Sequence, residues 1–487
     1  MRATRRRRQK KAYIPTDLNE EQACAVAQLM MAIDRGDPVG RLLGFAGTGK
    51  SYATVRLLRA YAHERPVLLC APTNKATAVL RHMAHEIGGN IEATTLHKAL
   101  GLRPDVDEDR GRLILKRVKA PDIPVNALVL IDEASMIDSV LLRFIQQGLQ
   151  QAHAQAIYCG DPCQLPPVFE KESPAFTGPG VTVCLTHIVR QAADHPILAM
   201  TAKIRAAMDG DAVPTFATQS HAAGSLIRLE PADFESTLLA SFTSAAYQDD
   251  PDHCRVLAWT NERTRAYNQL IRRTLLGAEA DQQSLLPGEK VVACTPIPRG
   301  RVHIGDVLTV VEAAPVHHFG IPAYRAQVMT ETGHAREMFV VRPEGFPAYR
   351  EQLSTLVKTA QALQKRIGQL SDQEDQARRE AWVTFFAFKD SAFCDLRPIH
   401  ASTVHKSQGS TYQTVFVDLS DIGRNTRRDV LLRLLYVALT RARGDVVVTG
   451  ALPERLYQSA TDFDGDREDR EEGEKDVEIN GSSDGVF

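Results

Sequence analysis

From about Asn19 the chain alternates short apolar, β-branched runs with amphipathic stretches. RLLGFAG, PVLLCAPT, NALVLIDEAS and AQAIYCGDP each lead from an apolar run into a loop of small and polar residues. Runs of that length predict buried strands, and the stretches between them predict helices. Strands alternating with helices imply a parallel sheet of the α/β class. The theme returns in CRVLAWTNE, ASTVHKSQGSTYQTVFVDL and DVVVTGA. Two α/β cores are therefore expected, meeting after about residue 190.

Three segments break the pattern. Residues 99–125 contain RGRLILKRV, which fits a small β-hairpin or an extended arm. Residues 287–345 are rich in Val, Gly and Pro, as in LPGEKVVACTPI and GDVLTVVEA, and predict a small β-barrel. Between 350 and 390, Leu353, Val357, Ala360, Leu363, Ile367 and Leu370 recur at near-heptad spacing, and Ser371 with Glu374 makes a capping box for a second helix. A projecting helical hairpin is predicted there.

With 487 residues, 44% hydrophobic and 24% charged, the composition is that of an ordinary globular protein and excludes collagen-like, mucin-like and wholly disordered chains. No uncharged apolar run approaches the roughly 20 residues that a membrane-crossing helix needs. The start, MRATRRRRQKK, has no apolar stretch behind it to form a leader. A soluble, intracellular, cytoplasmic protein with no membrane partner is expected. The eight cysteines are scattered, without the clustered spacing of a disulfide framework or zinc site, and Cys159 and Cys163 lack a second pair to complete four ligands. The net charge of −2 conceals an asymmetry: residues 1–11 carry seven basic side chains, whereas residues 461–487 carry eleven acids against three bases. The acidic segment has few large apolar residues, which predicts disorder. A near-neutral total leaves a polyanion partner open, because a basic groove can sit on a balanced body.

The strongest chemical signal is Gly44-Phe45-Ala46-Gly47-Thr48-Gly49-Lys50-Ser51, a phosphate loop between an apolar strand and a helical stretch. Glycines let backbone N–H groups approach phosphate oxygens, Lys50 can reach the β- and γ-phosphates, and Ser51 can ligate Mg²⁺. Gly44, Gly47, Thr48, Gly49, Lys50 and Ser51 are the candidate nucleotide contacts. Downstream, Val129-Leu130-Ile131 ends in Asp132 and Glu133. Asp132 can hold the metal's water shell, and Glu133 can orient and deprotonate an attacking water. Together the two motifs predict hydrolysis of ATP with Mg²⁺, the metal resting on Ser51 and Asp132.

The order of motifs resembles superfamily 1 helicases and, within them, the Dda and RecD type called superfamily 1B. Leu18-Asn19-Glu20-Glu21-Gln22 is similar to the Q motif, which implies that Gln22 reads adenine. Gly160-Asp161-Pro162-Cys163-Gln164 is similar to motif III, making Gln164 the candidate γ-phosphate sensor. LTHIVRQ at 185–191 looks like motif IV and places Arg190 near the γ-phosphate. Tyr436-Val437-Ala438-Leu439-Thr440-Arg441-Ala442-Arg443 resembles motif VI, with Arg441 in the arginine-finger position. The physical reason for two arginines is that charge spreads over the equatorial oxygens during phosphoryl transfer. An arginine supplied from a second core completes the site only when the cores close.

For the nucleic acid, the resemblance implies motif Ia at Pro72, Thr73, Asn74 and Lys75, motif Ib at Thr95, His97 and Lys98, a second-core loop at Thr260 and Asn261, and motif V at Thr403, His405, Lys406 and Gly409. Gly409 is also counted among the nucleotide-binding candidates. Hydroxyls, amides and lysines on such loops donate to phosphates and carry no base code, which suits sequence-independent tracking of a single strand. Each loop taken alone also reads as a turn with helix-capping Thr or Asn, and His97 and His405 read equally as core or capping histidines.

The resemblance implies two RecA-like P-loop motor cores, with a β-hairpin insertion in the first and an SH3-like β-barrel plus helical hairpin inserted in the second. The boundaries expected are a basic tail at 1–17, a first core at 18–190 containing a candidate duplex-splitting pin at 99–125, and a second core begun at 191–286 and completed at 399–460. Within the second core lie the SH3-like insertion at 287–345 and the helical hairpin at 346–398, and an acidic tail follows at 461–487. The implied activity is an ATP-dependent, monomeric motor moving 5′ to 3′ on single-stranded DNA and opening tailed or forked duplexes. An RNA helicase and an ATP-gated remodelling or loading factor are the rival readings. The acid-then-apolar terminus Asp484-Gly485-Val486-Phe487 is a candidate docking point for a basic partner, or for a single-strand binding or replication protein.

Overall fold

The computed structural model describes residues 17–87, 91–107, 112–168, 170–188, 195–295, 302, 304–364 and 372–457. Both charged termini, Arg190, and the predicted seam positions Ile367 and Leu370 with the capping Ser371 lie outside the described residues.

The first core is a six-stranded sheet in the order Glu92–Thr95, Val67–Ala71, Leu128–Ile131, Gln155–Gly160, Val39–Gly44, Val181–Leu185. Every pairing in it is parallel. All residues of Val67–Ala71 and Leu128–Ile131 are buried, as a parallel sheet covered on both faces requires. The two-residue period of a strand divides these side chains between faces. Leu69 and Ala71 join Leu29, Leu57, Leu58 and Leu80 on one side, while Leu68 and Cys70 join Leu141, Ile145 and Leu149 on the other.

Helix Glu20–Arg35 shows how local sequence sets an element. Asn19 accepts from the Gln22 N–H while the Gln22 side chain accepts from the Asn19 N–H, and Gly36 ends the helix at φ 90°. That reciprocal cap satisfies two of the N–H groups a helix start leaves orphaned. Val26, Leu29, Met30 and Ile33 then face the sheet at helical spacing.

The second core repeats the plan in the order Ala401–Thr403, Cys254–Ala258, Tyr412–Asp418, Ala442–Thr449, Gly224–Arg228, Gln219–His221. Its first five strands are parallel and the last is antiparallel. Helix Arg428–Thr440 buries Leu434, Leu435, Tyr436, Val437, Ala438 and Leu439 in succession. A helix apolar all round must be covered on every side. Here the second sheet and helix Pro196–Met208 cover part of it, and the first core meets it at Tyr436.

Two excursions leave the cores. Leu102–Asp107 and Arg112–Arg117 form an antiparallel ribbon with Leu102 opposite Arg117. In the second half, Lys290–Ala293, Val307–His318, Ile321–Thr330 and Ala335–Val341 form an antiparallel sheet whose fifth strand is Leu396–Pro398. Because that fifth strand follows helices Phe346–Gln364 and Asp372–Ala387 in the chain, the helical hairpin is nested inside the β insertion. Ala360, Trp382 and Phe385 pack the two helices together, with Leu353, Leu356 and Val357 alongside. Among the described residues, no helix is long and apolar enough to cross a membrane.

Candidate active site and strand-facing loops

Strand order brings the chemistry together. Leu128–Ile131, Gln155–Gly160 and Val39–Gly44 are neighbours, so the loops after them, carrying Asp132-Glu133, Asp161 to Gln164 and the phosphate loop, meet at the carboxyl edge of one sheet, where α/β sheets hold ligands. Ser51 Oγ donates to Asp132 Oδ2 at 2.6 Å. Lys50 Nζ, at the start of helix Lys50–Tyr61, donates to the Gly44 and Phe45 carbonyls at 2.8 Å each. The ammonium is thus held against its own loop, beside the space that loop encloses.

Gly47 and Gly49 sit at φ 83° and 77°, a left-handed backbone that side chains disfavour. At Gly49 a Cβ would also come within 2.5 Å of Gln22 Nε2. Gln22 is buried and donates to the Thr48 carbonyl at 2.9 Å. Its oxygen is used in the helix cap and one amide N–H on the loop, so in this structure Gln22 braces the phosphate loop, a role that spacing did not reveal.

Glu133 lies in the left-handed region at φ 53°. Burial pushes its carboxyl up, Asp132 beside it adds to the rise, and Arg441 and Lys50 oppose it. Arg441 exerts this effect from the second core. Arg441 is itself buried and oriented by the Val437 and Ser410 carbonyls and the Thr440 hydroxyl at 3.1–3.2 Å. Gln164 is buried, and among the described residues its Oε1 has no hydrogen-bond partner. The loop carrying it is held from the second core: Arg433 Nη1 donates to the Pro162 carbonyl and, at 2.8 Å, to that of Gln164, while Gln408 Nε2 donates to the Leu165 carbonyl at 3.3 Å. Arg205, from helix Pro196–Met208, lies 3.9 Å over the Phe45 ring in a cleft of about 330 Å³ that Ala46, Gly47, Tyr436 and Arg443 also line. Sequence reading assigned no task to Arg205, Gln408, Arg433 or Tyr436; all four act across more than 100 residues of chain, where spacing carries no signal.

The strand-facing candidates divide. Thr73 caps helix Asn74–Ile87 through the Ala76 N–H, Asn74 Nδ2 donates to the Ile304 carbonyl at 2.8 Å, and Lys75 pairs with Asp252 at 2.8 Å. Pro72 is half-buried beside them. Gly409, counted as a nucleotide contact from its sequence, packs against this loop: a Cβ there would lie 3.5 Å from Thr73 Oγ1 and 3.6 Å from Ala76. Thr95 caps Leu96–Ala99 through the Lys98 N–H. His97 and His405 are half-buried, and burial lowers the pKa of each. Asn261 and Lys406 are exposed, and Thr403 accepts from the Lys406 N–H at 3.4 Å. Thr260 is spent on structure: its hydroxyl donates to Asp421 Oδ1 at 2.7 Å and accepts from the Arg263 N–H at 3.1 Å.

Comparison with known proteins matches this arrangement. A family profile described as AAA domain covers residues 17–225, and one described as UvrD-like helicase C-terminal domain covers residues 398–449. The ATP-dependent DNA helicase dda of Enterobacteria phage T4 is 25% identical over 468 residues, spanning 88% of this chain and 98% of that one. The RecBCD enzyme subunit RecD of Mycolicibacterium smegmatis is 26% identical, spanning 89% of this chain and 71% of that one. The chain resembles the superfamily 1B helicases of the Dda and RecD type along most of its length. A crystal structure of Bacteroides Pif1 bound to ssDNA covers 90% of this chain and 94% of that one at 17% identity, with a TM-score of 0.49. The second profile falls on the segment that supplies Gln408, Arg433, Tyr436 and Arg441.

Proposed function

We propose that this protein is an ATP-dependent DNA helicase that hydrolyses ATP between its two cores and moves 5′ to 3′ along single-stranded DNA, opening duplexes ahead of it. The observation that carries the reading is the convergence of Ser51, Asp132, Glu133 and Lys50 from one core with Arg441 from the other. The donor set fits the nucleotide and its metal: a hydroxyl and a carboxylate 2.6 Å apart match the hard oxygen ligands Mg²⁺ prefers, and the buried Gln164 Oε1 meets no donor among the described residues. Mg²⁺ on Ser51 and Asp132 would supply neutralisation of charge on the phosphates. The chain's own groups do the rest. Glu133 accepts the proton of the attacking water, Lys50 leaves the loop carbonyls for the phosphate oxygens, and Arg441 faces the charge that develops in transfer.

Under this reading Pro72, Thr73, Asn74, Lys75, Thr95, His97, Lys98, Asn261, His405 and Lys406 hold the strand's phosphates. The 99–125 insertion, with its strands Leu102–Asp107 and Arg112–Arg117, is the wedge that parts the duplex, and the β insertion with its helical hairpin frames the channel. The deciding experiment is steady-state ATPase with and without single-stranded DNA, with a matched RNA strand as control, followed by unwinding of duplexes tailed at the 5′ or the 3′ end. Stimulation by DNA and opening of the 5′-tailed duplex are expected. Equal stimulation by RNA would favour the RNA helicase, and binding without opening would favour the remodelling factor. Lys50→Ala should abolish hydrolysis while sparing strand binding; retained ATPase would overturn the site assignment.

A further inference from the structure

Tyr436 is fully buried in helix Arg428–Thr440 of the second core, yet both contacts of its hydroxyl are made to the first. The phenol oxygen accepts from the Ala46 N–H of the phosphate loop at 3.1 Å and donates to Asp161 Oδ2 at 2.7 Å. Asp161 is itself fully buried, and its other oxygen accepts from the Cys163 N–H at 2.9 Å. One turn earlier on the same helix face, Arg433 holds the Pro162 and Gln164 carbonyls. Residues 161–164, which end in Gln164, whose Oε1 has no partner among the described residues, are therefore aligned by a helix belonging to the opposite core.

A buried hydroxyl is retained only when its polar atom is satisfied. A phenylalanine would fill the same volume. The hydroxyl adds one property that packing cannot: a single atom bonded at once to the loop that surrounds phosphate and to the loop that carries Gln164. Rotation of the second core moves Tyr436, and with it both loops together.

We propose that the Tyr436 hydroxyl is a positioning group that registers core closure at the nucleotide site, tying the phosphate loop to the Asp161–Gln164 loop so that Gln164 is aligned only when the cores are engaged. The inference builds on the helicase reading above. Tyr436 acts through Ala46, Asp161 and Gln164 and performs no chemistry itself.

The test is Tyr436→Phe in the full chain. ATPase is measured with and without saturating single-stranded DNA, and strand affinity is measured without nucleotide and with a non-hydrolysable ATP analogue. A lost hydrogen bond to a charged group predicts a fall of about tenfold in DNA-stimulated kcat. KM for ATP should change by less than about threefold, a displaced aligning group affecting turnover more than binding. Strand affinity without nucleotide should match the wild type, and the change in strand affinity on adding the analogue should disappear. Asp161→Asn keeps an acceptor for the phenol and should fall between wild type and Tyr436→Phe, which guards against misfolding of either variant. Wild-type stimulation in Tyr436→Phe would overturn the proposal. So would a rise in KM matching the fall in kcat, which would make Tyr436 a binding residue, or a loss of activity that follows the loss of thermal stability. Absence of DNA stimulation in the wild type would instead remove the helicase reading itself.

Discussion

Lys75 Nζ and Asp252 Oδ2 lie 2.8 Å apart, an ion pair that joins the first core's strand-facing loop to the second core. Both side chains are more than a third exposed, at 40% and 35%, so the pair itself contributes about 0–1 kcal/mol to stability. Its larger effect is on the lysine, which is held on a carboxylate at the place proposed for a DNA phosphate. Asp252→Asn keeps an acceptor for the buried Arg255, which donates to Asp252 Oδ1 at 3.0 Å, while removing the competing charge. Single-strand affinity should rise about two- to fivefold at low salt, with the gain fading as salt rises. Fluorescence anisotropy across a salt series checks it, and unchanged affinity would mean that Lys75 does not meet the strand.

Gly49 carries two constraints at once, a φ of 77° and a Cβ position 2.5 Å from Gln22 Nε2. Gly49→Ala should abolish ATP binding, and adding Gln22→Ala should fail to restore it, because the backbone strain remains when the clash is removed. Gln22→Ala alone should raise KM for ATP by loosening the Thr48 carbonyl. Binding of a fluorescent ATP analogue separates the three; rescue in the double variant would show that the clash alone dictates glycine.

Thr260 was expected on the strand, and its hydroxyl is committed to Asp421 and to the Arg263 N–H. Thr260→Val should therefore destabilise the protein by about 1–3 kcal/mol through the buried carboxylate it leaves short of a donor. Strand affinity per folded molecule should stay constant. Urea denaturation with active-site titration checks both halves, and weaker binding at full stability would return Thr260 to the DNA.

His400 gives a pH signature. Its Nδ1 lies 2.7 Å from the Tyr247 hydroxyl, and its buried Nε2 has no partner among the described residues. Burial, with Arg255, Arg272 and Lys290 nearby, moves its pKa from 6.5 down to about 3. Below pH 6.5 the unfolded chain takes up a proton that the folded one refuses, so stability present above 6.5 is lost as pH falls toward 3, by at most about 1.4 kcal/mol per pH unit from this group. His400→Asn, which retains an acceptor for Tyr247, should flatten that slope in denaturant titrations between pH 6.5 and 4. A slope identical to wild type would assign it to other groups.

What the sequence made legible was local. The phosphate loop, the strand ending in Asp132-Glu133 and the buried parallel strands are short patterns whose spacing and composition determine their geometry. Strand Val181–Leu185 is only five residues long, and the short strands Gln219–His221 and Gly224–Arg228 carry few apolar positions, so none stood out. The proximity of Gly409 to Thr73 carried no local signal either, because it joins the second core to the first. The bond from Tyr436 to Ala46 spans 390 residues of sequence, and no period of two or 3.6 can announce a contact made when two finished cores meet.

The interrupted second core has a consequence for biosynthesis. Strand Cys254–Ala258 lies between Ala401–Thr403 and Tyr412–Asp418, so its edges stay bare until the ribosome has delivered about 150 further residues. The first sheet, drawn entirely from residues 39–185, can finish early, as domains do when they emerge in order. The β insertion closes on itself through Lys290–Ala293 and Leu396–Pro398, which brings the two halves of the later sheet within reach of each other and shortens the search that its nonlocal pairings would otherwise demand. What reads as an appendage of the motor is, during synthesis, the clasp that lets its second half form.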